Sequence, residues 1–110
     1  MNWQPLTDAE QLEAIKKESF EHPVLIYKHS TTCSISSTAK ARLERQWDDT
    51  QGISAYYLDL LRYRPLSNAI AQEFDVEHES PQVLLIRDGQ CVYHESHFAI
   101  RFDEVLSHAV

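Results

Sequence analysis

The sequence predicts a single α/β domain across residues 1–110, with a mixed central sheet of four to five strands flanked by about four helices. Three observations lead there. Short continuous apolar runs, Val24 to Tyr27, Ala55 to Leu58 and Val83 to Ile86, have the length and composition of buried strands. Between them lie runs of helical period: Ile35, Ala39, Leu43 and Trp47 fall on one helix face, as do Leu66, Ile70 and Phe74. Asp88-Gly89 then separates two strand-like runs in the manner of a two-residue hairpin turn. A parallel β-α-β unit followed by an antiparallel hairpin gives a mixed sheet covered by helices.

The elements follow in order. Residues around Trp3 add a short edge strand. Thr7 with Glu10 is a capping-box pair, and Leu12, Ile15 and Phe20 supply the apolar stripe of the helix it opens. Pro23 ends that region and the strand from Val24 begins. Asp48 to Gly52 is turn-like and separates the second helix from the strand Ala55 to Leu58. Pro65 suits the first position of the third helix, where a missing N–H is no loss. Gln82 to Ile86 and Cys91 to Glu95 form the hairpin, in which an uninterrupted register sets Cys91 against Ile86 and Ser96 against Pro81. Phe102, Val105, Leu106 and Ala109 close the chain with a short amphipathic helix.

Composition narrows the function. Ten Lys and Arg stand against seventeen Asp and Glu, a formal charge of −7, which argues against nucleic acid and anionic membrane as partners. No apolar stretch has the length of a bilayer span, and the N-terminal residues Met1 to Asp8 lack the basic start and apolar segment of a secretory signal. Two cysteines do not make a disulfide framework, so a reducing, cytoplasmic setting is expected. Six histidines raise the question of a metal, but no helical His pair at i, i+4 and no Cys-x-x-Cys is present, and no metal site is expected. Nothing in the sequence sets an oligomeric state.

The chemistry concentrates at Cys33. It stands between the strand Val24 to Tyr27 and the helix that Ile35 opens, after a polar loop, Lys28-His29-Ser30-Thr31-Thr32. A cysteine in the first helical turn has backbone N–H groups and the positive end of the helix dipole aimed at its sulfur, which favours the thiolate. The second thiol of a dithiol motif would fall at position 36, where this chain has Ser36. The sulfur can therefore enter a mixed disulfide but cannot close an internal one there. Ser36 suits the first helical turn as a neutral residue and, compatibly, could donate its hydroxyl to the thiolate, since side chains three apart share a helix face. His29 and His97 are both expected at the Cys33 end of the sheet, as stabilisers of the thiolate or proton carriers, and Lys28 adds positive charge if it points to the sulfur. Cys91 is a poor resolving thiol. Five residues at a rise of ~3.3 Å hold it on the order of 16 Å from the Pro81 end, beyond the Cα separation of about 7 Å that a disulfide tolerates.

Pro81 heads a strand of the hairpin. With Cys33 after the second strand and Pro81 at this place, the pattern is similar to the thioredoxin architecture, which implies a cis Ser80–Pro81 bond facing the cysteine and offering backbone to a bound thiol or disulfide. More of the chain supports a narrower likeness. Lys28-His29-Ser30, Cys33-x-Ile35-Ser36, Asp59-Leu60-Leu61 with Tyr63-Arg64, Ser67-Asn68, His78-Glu79-Ser80-Pro81-Gln82, and Ser96-His97 with Ile100 together resemble the YtxJ-type monothiol bacilliredoxins, from about Val24 to Ile100. The resemblance implies removal of bacillithiol from mixed disulfides on S-thiolated cytosolic client proteins. Cys33 would attack, Ser80 and Pro81 would receive the thiol, no cofactor would be bound, and the small thiol would be co-substrate. Family members often carry Pro where this chain has Ser34, a difference that bears on redox tuning and leaves the nucleophile in place.

Two other readings belong to different classes. A redox sensor or interaction module would use the same fold without turnover. An iron–sulfur carrier would need a Gly-rich motif around the cysteine, and neither of the two glycines lies near Cys33.

Overall fold

A computed structural model describes residues 1–109. The elements are β1 (Trp3–Pro5), α1 (Glu10–Glu18), β2 (Val24–His29), α2 (Ser34–Gln46), β3 (Ser54–Asp59), α3 (Arg64–Phe74), β4 (Gln82–Arg87), β5 (Gln90–Ser96) and α4 (Phe102–Ala109), with short 3₁₀ turns at Asp49–Gln51 and His97–Ala99. The strands form one five-stranded sheet in the order β1-β3-β2-β4-β5. β1, β3 and β2 run parallel, and β4 is antiparallel to both β2 and β5.

Period-two alternation along β2 sorts the two cores. Val24 and Ile26 face one side, where Leu12 and Ile15 of α1 and Leu66, Ile70 and Phe74 of α3 cover the sheet. Leu25 and Tyr27 face the other, against Ala39 and Leu43 of α2 and Phe102, Val105 and Ala109 of α4. A strand buried on both faces lies mid-sheet, as the unbroken apolar run predicts.

Three local expectations change. The cap of α1 sits one residue later than Thr7 and Glu10: Asp8 Oδ1 accepts from the Glu10 N–H (2.8 Å), and Gln11 Oε1 accepts from the Asp8 N–H (3.0 Å) and the Thr7 N–H (2.7 Å). Asp8 and Gln11 have the carboxylate and the reach that close this box.

Phe20 does not join the core stripe. α1 stops at Glu18, and Phe20 is 65% exposed in the turn beyond it. Its ring lies over the hairpin turn, where a side chain on Gly89 would come within 3.3 Å of it. Asp88 and Gly89 both have positive φ, the type I′ geometry that suits a two-residue hairpin.

The hairpin register is interrupted. Ile86 pairs with Cys91 as expected, but Leu85 pairs with Tyr93, so Val92 is an extra residue and Ser96 falls opposite Gln82 rather than Pro81. The extra residue puts Cys91 and Tyr93, two positions apart and ordinarily on one face, on opposite faces of the sheet. Cys91 packs on the α1/α3 side, and Tyr93 packs on the α2/α4 side and stacks on His108 at 4.1 Å.

Candidate active site

β2 ends at His29, opposite Asp59 at the end of β3, and the Leu60 N–H donates to the His29 carbonyl (3.0 Å). Lys28 pairs with Gln82 at the start of β4, and Gln82 pairs with Ser96 at the end of β5. The loop to Cys33, the Ser80–Pro81 segment and His97 therefore gather at one end of the sheet. The Ser80–Pro81 bond is cis.

Cys33 is the N-cap of α2, with extended backbone and a partly exposed side chain. An N-cap is usually a Ser, Thr, Asp or Asn whose oxygen takes one of the orphan N–H groups of the first turn. Here a sulfur holds that place, and no side-chain cap bond is formed. Backbone places it: the Cys33 N–H donates to the Ser30 carbonyl (3.2 Å), and its carbonyl accepts from the Ser37 N–H (3.1 Å). The sulfur thus sits at the end of α2 where the first-turn N–H groups and the positive end of the helix dipole lie.

Ser36 bonds to its own loop. It is fully buried. Its Oγ accepts from the Ser30 N–H (3.0 Å) and lies 2.7 Å from His29 Nδ1. These bonds go to the loop and to His29 rather than to the sulfur. Tyr27, which the sequence marks only as part of an apolar strand, donates its hydroxyl to the Ser36 carbonyl (2.8 Å). Burial pushes the Tyr27 phenol up to about 12, the bond to Ser36 opposes that, and negative charge on nearby Cys33 adds to it. His29 is held below its ordinary value by burial and then by Lys40, with Asp59 and Glu44 opposing. A neutral His29 ring and a buried hydroxyl thus form the floor beneath the first turn of α2.

Lys28 is not beside the sulfur. Its side chain follows Val24 and Ile26 to the α1/α3 side, where it is 0% exposed, and its Nζ donates to the Ser67 carbonyl (3.2 Å) and to His78 Nδ1 (3.3 Å). Burial lowers its ammonium to about 8. Ser67 and His78, outside the candidate set read from the sequence, are its partners. Alternation on β2 was the available signal, because Lys28 has the parity of two core residues.

His97 reaches the proline segment. Its N–H donates to the Pro81 carbonyl (3.0 Å), and its Nε2 lies 3.6 Å from Glu79 Oε2. Cys91 is on the other side of the sheet from α2 and level with Val24, through Ile86. The length of β2 alone, five residue steps, is on the order of 16 Å. Its thiol donates to the Tyr93 carbonyl (3.3 Å), and burial pushes it up. Both cysteines are free. Among the described residues no three His, Cys, Asp or Glu side chains converge as a metal site would require, and no helix is long and apolar enough to cross a membrane.

A cysteine at a helix N-terminus, at the same end of a helix-covered mixed sheet as a cis-proline segment and with serine three residues on, defines a thiol–disulfide redox protein of thioredoxin fold. Solved structures agree on the fold. One provisionally described as an oxidoreductase with a thioredoxin fold has 30% identity and a TM-score of 0.83, covering 94% of this chain and 90% of its own. The Malassezia sympodialis thioredoxin, at 15% identity, has a TM-score of 0.76 with 99% and 92% covered. The Fasciola hepatica thioredoxin, at 16% identity, also has 0.76, with 97% and 99% covered. Residues 4–105 match the family described as monothiol bacilliredoxin BrxC, and the chain belongs to that family.

Proposed function

We propose that this protein removes a low-molecular-weight thiol, bacillithiol by family, from mixed disulfides on client proteins of a reducing cytoplasm. The observation that carries the reading is the placing of the sulfurs. Cys33 stands partly exposed at the N-cap position of α2, position 36 holds a buried hydroxyl, and Cys91 packs on the opposite sheet face.

The exchange has two steps. Cys33 thiolate attacks the small-thiol sulfur of the client mixed disulfide. The new bond joins that sulfur to Cys33 Sγ, the old disulfide breaks, and the client leaves as a thiolate. A second molecule of small thiol, as its thiolate, then attacks the same sulfur, giving the small-thiol disulfide and free Cys33. Each step exchanges one S–S bond for another, with no bound cofactor, and its rate follows thiolate fraction and access. His29 and Ser36 act beneath the sulfur by fixing the loop Ser30–Cys33 through the Ser36–Ser30 bond, while Ser80 and Pro81 supply backbone for the incoming disulfide.

The test uses a client protein carrying a bacillithiol mixed disulfide, followed by intact mass of both partners. Transfer of the adduct to Cys33 and its release by added bacillithiol are expected. An adduct that forms and never turns over would favour the sensor reading. Iron or colour in the purified protein would favour a cluster carrier.

A further inference from the structure

The exchange leaves one buried charge unused. Lys28 lies wholly inside the protein, and among the described residues its ammonium faces no carboxylate within ion-pair distance. Its partners are neutral: the Ser67 carbonyl of α3 at 3.2 Å and His78 Nδ1 at 3.3 Å. An ammonium has no lone pair, so His78 Nδ1 must accept, which puts the ring proton on Nε2. Ser67 Oγ shares the same Nδ1 at 3.2 Å. His78 opens the segment that leads to the cis proline.

Among the described residues that segment is held at five points, the Ser67 Oγ–His78 contact from α3 being one of them. Besides the Lys28–His78 bond, Gln82 Nε2 donates to the Glu77 carbonyl (2.9 Å), the His97 N–H donates to the Pro81 carbonyl (3.0 Å), and Glu79 meets His97 at 3.6 Å. Among the described residues, only the Lys28–His78 bond anchors it to the centre of the sheet through a side chain of β2. It also depends on an unprotonated Nδ1.

We propose that Lys28 and His78 are positioning residues: the buried ammonium, through His78, sets the Glu77–Pro81 backbone on which the mixed disulfide seats, and protonation of His78 releases it. This rests on the reading that Ser80 and Pro81 receive the disulfide. Protonated Nδ1 carries an N–H that confronts the ammonium, so the bond becomes a repulsion. The charged groups facing His78 are Lys28 from β2 and Arg64 from α3, which oppose protonation, and Glu79 from its own segment, which favours it; Glu79 is in turn shared with His97. Burial, then Lys28 and Arg64, hold His78 below its ordinary value, so the bond is intact at neutral pH and is lost on the acid side. Above about 8 Lys28 loses its charge but retains N–H groups to donate, so the alkaline side should change less.

His78→Asn is the discriminating variant, because its side-chain oxygen can accept from Lys28 and does not titrate. Lys28→Met removes the donor. KM for a thiolated client is measured from pH 5 to 8 alongside iodoacetamide alkylation of Cys33, which needs no seated disulfide. Wild-type KM should rise at least roughly fivefold, the low end of ordinary coupling between sites, as His78 protonates. The ratio of the wild-type and His78→Asn alkylation rates should stay constant across that range. His78→Asn should abolish that rise, and Lys28→Met should raise KM across the range while both variants remain folded by circular dichroism. A wild-type-like acid limb in His78→Asn, or a wild-type KM in Lys28→Met, would overturn the proposal. If the wild type does not turn over, the exchange reading fails separately, and amide shifts of Glu79, Ser80 and Gln82 decide. Shifts that follow His78 in the wild type and stay flat in His78→Asn support the positioning role; identical pH dependence in both overturns it.

Discussion

Lys28→Met should change how stability depends on pH. Lysine ordinarily titrates at 10.5, and burial brings Lys28 down to about 8. At about 1.4 kcal/mol per pH unit between the folded and unfolded values, the charged ammonium costs the native state about 3 kcal/mol. The folded value lies below the unfolded one, so the unfolded chain holds the proton more tightly. Stability is therefore reduced by the full amount below about 8 and recovers as pH rises toward 10.5. Tyr27 and Tyr56, both pushed up to about 12, begin to lose stability only above the ordinary tyrosine value of 10. The useful window is thus pH 7 to 10. Methionine keeps most of the volume and has no charge, a replacement that buried ionic sites often tolerate well. Urea unfolding followed by Trp3 and Trp47 fluorescence gives both curves. The advantage of Lys28→Met over wild type should fall by about 2–3 kcal/mol across the window. Parallel curves would show that Lys28 keeps its solution affinity for the proton, and the burial argument would fail with them.

Further outcomes follow from the same contacts. Ser36→Cys should expel a small-thiol adduct from Cys33 by closing an internal disulfide, seen as loss of the adduct mass without added thiol. Ser36→Ala removes the acceptor of the buried Ser30 N–H, and should cost about 1–3 kcal/mol in chemical denaturation. Gly89→Ala places a side chain at φ +78 and within 3.3 Å of the Phe20 ring. A loss of about 1 kcal/mol or more is expected, read as a Tm lower by roughly 5 °C. Cys91→Ala should leave the rate of adduct transfer unchanged, because its sulfur faces the α3 side.

Much of the fold was legible because the strongest signals were local. The β2 run is apolar on both faces and lies mid-sheet, and Cys33 stands at a strand-to-helix junction that backbone alone marks. Side-chain direction was less legible. Lys28 reads as an exposed loop charge until its parity with Val24 and Ile26 is weighed, and then only the structure supplies His78 as its partner, fifty positions on. Ser36 was placed by helix spacing beside the sulfur, but spacing does not see His29, which competes for the same hydroxyl. The β5 bulge carried no marker: Cys91, Val92 and Tyr93 include no Gly or Pro, and the extra residue is settled by Tyr93 packing toward α4. Phe20 fitted the helical period in sequence, but α1 ends before reaching it.

The central claim is that one sulfur carries the exchange. It is tested most directly by intact mass of wild-type protein loaded at Cys33 with a small-thiol disulfide and left without added thiol. A stable adduct on Cys33, released only when free small thiol is supplied, is the expected result. Spontaneous loss of the adduct with formation of a Cys33–Cys91 disulfide would contradict it, since Cys33 heads α2, which covers one face of the sheet, and Cys91 packs on the other.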